Sequence, residues 1–513
     1  MNGAESLVHT LLKSGVDTCF TNPGTSEMHF VAALDRIPGI HCVLGLFEGV
    51  VTGAADGYAR AAGKPAATLL HCGPGLGNGL ANLHNARRAM TPMVNIVGDQ
   101  ATYHRANDPP LTADTEGWAR GVSGWVRTAS KSATVGADAA AAVQASRMSP
   151  GQIATLILPS DTSWDEGGVV AERLPTLATP ASAPSQIDDA VKILRAGGGR
   201  KVALMIGANT VTEEGLELMG RIGAATGCRL MGDVSGTTPR GHGRLQLERV
   251  PYAVDAAVPA MKGVEHLILC QARKPVTFFA YPGKPTTGMP ADCEYHVLAR
   301  KDQDGLDALR RLADALRAPP APRIDSGERP DVGRGAISPE ALGATVAALI
   351  PEGTIMVEEA ITYGRGLGAV ARTARHHIAM APSGGAIGGG MPMAVGAAVG
   401  APDRQIVNLQ ADGSGMYTVQ SLWTQAREKM NVTTVILSNR KYQILLGELA
   451  NVGANPGRTA LEMMDLGNPD LNWASIAQGM GVEAARADNA DTFTDLFRAS
   501  LGRPGPFLIE LIV

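Results

Sequence analysis

The feature of this sequence that most constrains the fold is a pair of apolar runs, each followed by a polar residue that can bind a cation. Asp412 closely follows residues 404–410, and Asn439 follows the β-branched residues 432–437. Residues 419–430, between them, have a helical pattern. Strand, helix and strand in this order form a right-handed crossover with parallel strands. We therefore predict Asp412 and Asn439 side by side at the carboxyl edge of one sheet.

That edge is where open α/β sheets bind ligands. Asp412 offers a carboxylate oxygen and Asn439 an amide oxygen, and Gly413 and Ser414 form a turn that can approach a phosphate. Mg²⁺ is typically held by few protein oxygens together with the phosphates of its ligand. The pattern therefore predicts a Mg²⁺ site that binds a diphosphate.

The same residues resemble a known signature. Asp412-Gly-Ser, with Asn439 at a spacing of 27 (439 − 412), is similar to the motif of thiamine diphosphate (ThDP) enzymes, usually Gly-Asp-Gly and then Asn-Asn. Ala411 replaces the first glycine and Ser438 the first asparagine. Neither replacement affects the positions of the metal ligands, which Asp412 and Asn439 occupy. The resemblance implies ThDP and Mg²⁺ as cofactors, with Asp412, Asn439 and the carbonyl of Lys441 as metal ligands and residues 412–414 beside the diphosphate.

Length and composition predict an α/β protein of about three domains, because 513 residues exceed one core. Residues are 45% hydrophobic but only 4% aromatic, and 62 are glycine, which favours tight turns and packing through small side chains. Proline-rich linkers at 172–186 and 317–336 predict domains at 1–171, 187–316 and 337–513. The resemblance implies three doubly wound parallel-sheet domains, which bind pyrimidine in the first and diphosphate in the third.

Charge and cysteine content restrict the partners. The net charge of −4 gives no basic field for nucleic acid or an anionic membrane. The six cysteines lack metal-type spacing and are interpreted as reduced core thiols. No basic-then-apolar leader and no segment of membrane-spanning length is found. We expect a soluble, cytoplasmic protein without nucleic acid or membrane partners.

Glu48 is the candidate catalytic acid. The apolar residues 40–47 predict a strand and residues 49–62 a helix, so that Glu48 lies at a strand's carboxyl end. The segment resembles the family's activating segment, which implies that Glu48 bonds to pyrimidine N1′ and favours the imino tautomer. A buried acid beside an apolar residue would favour its protonated form. The alternative is an ordinary acid in the first turn of a helix.

A glycine-rich stretch follows the next predicted strand, 66–70. We predict a loop at 71–78 and a helix at 79–90. The glycines could suggest a dinucleotide site, but their spacing at 73, 75, 77 and 79 does not match Gly-x-Gly-x-x-Gly in any register. An NAD-dependent enzyme is therefore disfavoured.

His71 opens this loop. The Asn-Pro-Gly turn at 22–24, which precedes Thr25, and His71-Cys-x-Pro-Gly resemble benzoylformate decarboxylase. The resemblance implies a proton-transfer role for His71 and a place for Thr25 in the substrate pocket. The alternative is a satisfied core histidine. That enzyme's second active-site histidine has no counterpart near 278–281.

Other residues are implied only by the family resemblance. The glycine-rich residues 383–392 resemble the loop under the aminopyrimidine, with Ile387 as the apolar wedge and Gly385 allowing close approach. Thr362 corresponds to a diphosphate-binding hydroxyl. One helical segment would line the substrate pocket: Ile444, Leu445 and Glu448. Glu448 could instead be solvated. The middle domain shows no charged constellation to which we assign a role.

The resemblance implies decarboxylation of a 2-oxo acid, with the product protonated or joined to a second carbonyl compound, as in the acetolactate synthase and benzoylformate decarboxylase group. It also implies a homodimer or homotetramer with active sites at the subunit interface. The alternative is a non-catalytic ThDP-binding sensor or assembly subunit, which the intact Glu48 argues against. No convincing flavin segment is found.

Overall fold

A computed structural model of the chain describes residues 1–233 and 236–513. Three sheets are formed in chain order. The first sheet is entirely parallel, in the order β2-β1-β3-β4-β6-β5. Its strands are β1 Thr18–Thr21, β2 His41–Leu44, β3 Ala66–Leu70, β4 Met93–Asp99, β5 Trp125–Thr128 and β6 Ile153–Pro159. The surrounding helices are α1 Gly3–Lys13, α2 Met28–Arg36, α3 Glu48–Ala62, α4 Cys72–Ala89, α5 Thr115–Arg120, α6 Ser132–Ser146 and α7 Ser160–Trp164.

The second sheet has four parallel strands in the order β11-β10-β7-β8. Strands in this part of the chain are β7 Val202–Ile206, β8 Arg229–Gly232, β9 Thr238–Arg240, β10 His266–Cys270 and β11 Glu294–Ala299. The helices are α8 Pro184–Ala196, α9 Glu213–Thr226, α10 Val254–Met261 and α11 Gly305–Ala315. Strand β9 lies outside this sheet, because it pairs antiparallel with a strand of the third.

The third sheet has the order β16-β17-β15-β14-β12-β13-β9, and its strands other than β9 are parallel. Its strands are β12 Thr354–Glu359, β13 His377–Met380, β14 Ile406–Ala411, β15 Val432–Ser438, β16 Glu483–Ala487 and β17 Phe507–Ile512. The helices are α12 Pro339–Leu349, α13 Arg365–Val370, α14 Gly390–Gly400, α15 Asp412–Gly415, α16 Ser421–Arg427, α17 Gln443–Asn451, α18 Arg458–Glu462, α19 Trp473–Gly479 and α20 Ala490–Leu501.

The predicted fold class is confirmed: three α/β units are built on largely parallel sheets. Neither predicted linker contributes a strand, although α8 begins at Pro184, inside the predicted 172–186 linker. The predicted domain limits of 1–171, 187–316 and 337–513 stay predictions. Strand β9 connects the middle segment with the third sheet.

The predicted loop at 71–78 is wrong, because helix α4 already begins at Cys72. The glycines are used here for close packing rather than for turning the chain. A Cβ on Gly75 would lie 2.9 Å from Glu48 Oε1, and one on Gly79 would lie 2.9 Å from Thr52 Cγ2. Other differences are small: the strand predicted at 40–47 is confined to His41–Leu44, and the helix predicted at 419–430 to Ser421–Arg427.

The first and third units share one core. Helix α3 packs against helix α14, and buried side chains of both, such as Ala54 and Met393, belong to a single apolar cluster. The two helix backbones approach closely because a glycine of one helix faces the backbone of the other: a Cβ on Gly396 would lie 1.8 Å from the Ala54 carbonyl oxygen. This packing fixes the amino end of α3, where Glu48 lies, relative to the third sheet.

Candidate active site

The crossover predicted from the sequence is present. Strands β14 and β15 pair in parallel, with Ala411 opposite Leu437. Asp412 follows β14 and starts α15, while Asn439 follows β15. Both residues line one cleft at the carboxyl edge of the third sheet. The predicted juxtaposition of Asp412 and Asn439 is therefore what the structure shows.

Asp412 is a buried carboxylate whose neighbours are backbone amides. Its Oδ1 accepts a hydrogen bond from Gly413 N at 2.8 Å, and its Oδ2 accepts one from Arg440 N at 2.6 Å. Burial raises the pKa of the Asp412 carboxyl, against these hydrogen bonds, which lower it. Among the described residues, no basic side chain forms an ion pair with it. Such a carboxylate has spare acceptor capacity and suits a hard cation.

The cleft, which we call the C-terminal cleft, contains most of the residues predicted to bind the diphosphate and metal. Its lining includes Thr362, Ile387, Asp412, Gly413, Ser414, Asn439, Lys441 and Ile444. Asn439 Oδ1 accepts a hydrogen bond from Lys441 N at 3.2 Å, which places the Lys441 backbone beside the amide. Carboxylate, amide and hydroxyl oxygens that suit a metal and a diphosphate thus lie in one cleft together with apolar side chains such as Ile387 and Ile444.

Glu359, which ends β12, is a residue of this cleft that the sequence analysis missed. Its carboxylate accepts hydrogen bonds from the amides of Gly388 and Gly390, both at 2.8 Å, and from Gly389 at 3.3 Å. Gln410 Nε2 also donates to it at 2.8 Å. Burial raises the pKa of Glu359, and the hydrogen bonds oppose that shift. Glu359 therefore anchors the glycine-rich loop to the third sheet.

The other side of this loop is held by helix α4. Asn85 Oδ1 accepts from the amides of Gly384 and Ala386 at 3.1 and 3.2 Å, and Asn85 Nδ2 donates to the Ala386 carbonyl at 2.8 Å. Gly385, at φ +82°, needs a glycine, and a Cβ there would lie 2.7 Å from the Phe278 ring. Gly385 is not among the residues that line the C-terminal cleft, whereas Ile387 is. The loop therefore has a fixed shape that presents Ile387 to the cleft.

Glu48 is the first residue of α3 and is buried, with 6% exposure. Its Oε2 accepts a hydrogen bond from Asn78 Nδ2 at 3.0 Å. Within residues 1–233 and 236–513, no donor is hydrogen-bonded to Oε1, which faces Gly75. The position at the first turn matches the plain helix-acid alternative, but that alternative explains neither the burial nor the unpartnered oxygen. One oxygen of this acid is thus available to a ligand.

His71 is half-buried and is held by a carboxylate that the sequence analysis missed. Its Nδ1 lies 2.9 Å from Glu27 Oε2, which also accepts from Gly24 N at 2.8 Å. Ser26 donates to the other oxygen of Glu27. A Cβ on Gly24 would lie 2.1 Å from His71 Nδ1, so this turn packs directly on the ring. Thr25, in the same turn, is exposed. His71 is therefore oriented by a polar partner rather than enclosed among apolar side chains.

The predicted helical segment that carries Ile444, Leu445 and Glu448 is α17. Only Ile444 lines the C-terminal cleft, and Leu445 is 43% exposed. Glu448 Oε2 accepts a hydrogen bond from the Tyr281 hydroxyl at 2.8 Å, which raises the pKa of Tyr281 to about 12. Glu448 therefore connects α17 to the middle segment and is not simply solvated.

The candidate residues fall into two groups within the chain. Glu48 and His71 both lie next to Gly75, since its Cβ would be 2.9 Å from Glu48 Oε1 and 3.3 Å from His71 Cβ. The residues that line the C-terminal cleft all come from position 359 or later. Across the described part of the chain, no hydrogen bond joins a side chain of the first group to Asp412 or Asn439. The candidate residues thus form two clusters in the chain, one around Glu48 and His71 and one along the C-terminal cleft.

Comparison with known proteins shows the family of the chain. Residues 1–118 match the model of the thiamine pyrophosphate enzyme N-terminal TPP-binding domain, and residues 366–511 match that of the C-terminal TPP-binding domain. A Mycobacterium tuberculosis H37Rv protein, provisionally designated acetolactate synthase large subunit IlvX, is 49% identical over 100% of this chain and 99% of its own length. The chain belongs to the thiamine pyrophosphate enzyme family.

One further relative is similar in sequence, and two solved structures are similar in fold. Benzoylformate decarboxylase of Pseudomonas aeruginosa is 26% identical over 98% of this chain and 97% of its own length. The ThDP-dependent 4-hydroxybenzoylformate decarboxylase of Rhodococcus jostii RHA1 has the same fold, with a TM-score of 0.82, 23% identity, and coverage of 99% of this chain and 98% of that one. Benzoylformate decarboxylase of Polynucleobacter necessarius gives 0.84 at 21% identity, covering 100% and 99%.

The predicted resemblance to the acetolactate synthase and benzoylformate decarboxylase group of ThDP (thiamine pyrophosphate) enzymes is therefore confirmed, as is a pair of TPP-binding domains. An NAD-dependent enzyme finds no support in these matches. None of the helices in residues 1–233 and 236–513 combines the length and the apolar character needed to cross a membrane.

Proposed function

We propose that this protein uses ThDP and Mg²⁺ to cleave the bond between the carboxylate and carbonyl carbons of a 2-oxo acid, with protonation or carboligation of the product. The observation that carries the proposal is Glu48, a buried acid with one carboxylate oxygen that no described residue occupies. The named activities of the relatives, acetolactate synthases and benzoylformate decarboxylases, support the substrate class.

The C-terminal cleft would hold the diphosphate and metal. Asp412, Asn439 and the backbone carbonyl of Lys441 would be the Mg²⁺ ligands, and this assignment is supported by the buried Asp412 carboxylate without a basic partner. Gly413, Ser414 and the Thr362 hydroxyl, which line the same cleft, would bind the diphosphate. Gly385 and Ile387, on the loop fixed by Glu359 and Asn85, would shape the site for the aminopyrimidine.

When bound, ThDP supplies a carbon nucleophile and an electron sink for the bond that breaks. Glu48 would exchange a proton through its Oε1 with the pyrimidine ring, while Asn78 holds Oε2 at 3.0 Å. The Glu27 carboxylate would accept a hydrogen bond from Nδ1–H of His71, which leaves Nε2 as the nitrogen that can take and return a proton. Thr25, Ile444 and Leu445 would contact the substrate, and Glu448 would keep α17 in position through Tyr281.

We further propose that the working site forms between two copies of the chain, in a homodimer or a homotetramer. Support comes from the lining of the C-terminal cleft, which does not include Glu48 among the described residues. Large apolar side chains in both clusters are also exposed, including Leu46 at 46% and Ile361 at 51%. A partner subunit packed over these positions would remove both side chains from water.

The direct test is a panel of 2-oxo acids that includes pyruvate, benzoylformate and 4-hydroxybenzoylformate. The purified protein, supplied with ThDP and Mg²⁺, is expected to release CO₂ from at least one of them, and product analysis separates decarboxylation from carboligation. Release should require both cofactors and should be strongly reduced in Glu48→Gln. ThDP binding without turnover on the whole panel, or equal turnover in Glu48→Gln, would contradict the proposal.

A further inference from the structure

We propose that the middle segment carries a binding site for a divalent transition metal, most suited to Zn²⁺, formed by His266, Glu294 and His296. The three residues come from the amino ends of two neighbouring strands: β10 begins with His266 and β11 with Glu294. The parallel register places His266 opposite Glu294. His296 is two residues beyond Glu294, so both point to the same face of the sheet.

The donor atoms are arranged as the ligands of one ion would be. His266 Nδ1 lies 3.2 Å from His296 Nε2, and Glu294 Oε2 lies 3.6 Å from the former and 3.8 Å from the latter. Two ligands that bind tetrahedral zinc at about 2.0–2.1 Å are separated by about 3.3–3.4 Å. The three observed separations lie close to that value, so one ion could contact all three atoms with small side-chain movements.

The ligand types select the metal. Two imidazoles and a carboxylate suit Zn²⁺, Cu²⁺ or Ni²⁺, whereas Mg²⁺ prefers oxygen donors alone. The histidines are half-buried, at 27% and 25% side-chain exposure, and Glu294 is 67% exposed. An ion at this position would therefore be reachable from solvent and would still be fixed by two constrained rings.

The surroundings leave room for a further ligand. His266 and His296 open into a cleft that is also lined by Asp189 and Lys192 of α8 and by Lys201. Asp189 and Glu265 bring carboxylates to this cleft, and Glu265 is paired with Lys201, Oε1 to Nζ at 2.7 Å. The positive charge of Lys192, which lines the same cleft, would weaken binding of a cation. Three protein ligands with an open fourth position are the arrangement that a solvent-accessible zinc site has.

The simpler interpretation is a hydrogen bond between the two imidazoles, one nitrogen donating and the other accepting. It accounts for the 3.2 Å separation, but it makes no use of Glu294, whose carboxylate is near both nitrogens. In the sequence, His266 is 28 positions (294 − 266) from Glu294, and the β10–β11 register brings them together.

The test is calorimetric titration of the full-length protein, freed of transition metals with a chelator and then saturated with Mg²⁺, using Zn²⁺ as the probe. We expect one site that His296→Ala weakens by at least about tenfold, because it removes one of three protein ligands. Glu294→Gln should weaken it less, since the amide oxygen can still coordinate. The exposed His242 provides the control, and His242→Ala should bind Zn²⁺ as the wild type does.

A second group of donors must be separated from this one, because Glu27, His71 and Cys72 also lie within 4.8 Å of one another. Zinc binding at the proposed site should persist in His71→Ala. Binding that is lost in His71→Ala and retained in His296→Ala would overturn the proposal, as would a wild type that binds no more Zn²⁺ than His296→Ala. The proposal is independent of ThDP chemistry, so His296→Ala should keep any cofactor-dependent turnover.

Discussion

Replacing Gly57 by alanine tests the packing that joins the two TPP-binding domains within one chain. Gly57 lies in the middle of α3 and faces α14. A Cβ there would be 2.1 Å from the Met393 carbonyl oxygen and 2.7 Å from its carbonyl carbon. Both atoms belong to a helix backbone and cannot rotate away as a side chain could.

The magnitude follows from this overlap. Carbon and carbonyl oxygen atoms in favourable contact are about 3.3–3.6 Å apart, so α3 and α14 must separate by about 1 Å locally. Overpacking of this kind typically costs about 1–3 kcal/mol, and we expect the upper end because two regular backbones must move. Since Glu48 begins α3 and the loop held by Glu359 leads into α14, turnover should also fall.

The assay is the midpoint of thermal unfolding, followed by circular dichroism, because a chain of several domains need not unfold in two states. Gly479→Ala is the matched control: it lies at the end of helix α19, and nothing lies within 4 Å of its added Cβ. We expect a clearly lowered midpoint for Gly57→Ala and an unchanged or slightly raised one for Gly479→Ala. Equal midpoints for the two variants would refute the close approach of α3 and α14.

Three further results are expected. Glu48→Gln should retain ThDP binding, measured by calorimetry, and lower turnover by at least about a hundredfold, the scale of lost acid–base help; near-normal turnover would remove Glu48 from catalysis. Co-expressed Glu48→Gln and Asp412→Ala chains should regain roughly a quarter of wild-type activity, since about half of random dimers are hybrids with one intact site of two. If hybrids verified by mass spectrometry are inactive, Glu48 and Asp412 of the same chain serve one active site, and the proposed shared site is wrong. Glu27→Gln should lower turnover more than Ser26→Ala does, because Glu27 Oε2 lies 2.9 Å from His71 Nδ1 and is charged, whereas the neutral Ser26 hydroxyl lies 3.5 Å from the same nitrogen, and equal rates would argue against a positioning role for Glu27.

The sequence predicted those parts of the fold and site that depend on local pattern. Asp412 and Asn439 could be placed because each follows an apolar run of strand length, and a crossover brings such strand ends together. Glu48 could be placed for the same reason. Fully buried strands are the easiest to predict because they form continuous apolar runs, and β15, with all seven residues buried, is an example.

The parts that were missed depend on contacts between distant residues. Glu27 meets His71 across 44 positions, at a turn where Cys72 adopts a positive φ of 51°. Glu359 is at the end of a strand, but the glycine amides that donate hydrogen bonds to it are about thirty residues away in the sequence. An acid at a strand end, close before Thr362, was the signal that could have indicated it. The helical start of α4 was missed because glycine indicates a turn when its packing partners are unknown.

The central claim is that the C-terminal cleft binds ThDP through a metal held by Asp412, and titration calorimetry of ThDP in the presence of Mg²⁺ tests it most directly. Asp412→Ala is compared with the wild type and with Asp495→Ala, which changes an exposed aspartate paired at the surface with Arg498. Circular dichroism confirms that all three are folded. We predict metal-dependent ThDP binding in the wild type and in Asp495→Ala, and none in Asp412→Ala, because one of few protein ligands is lost. Unchanged ThDP affinity in a folded Asp412→Ala protein would contradict the claim.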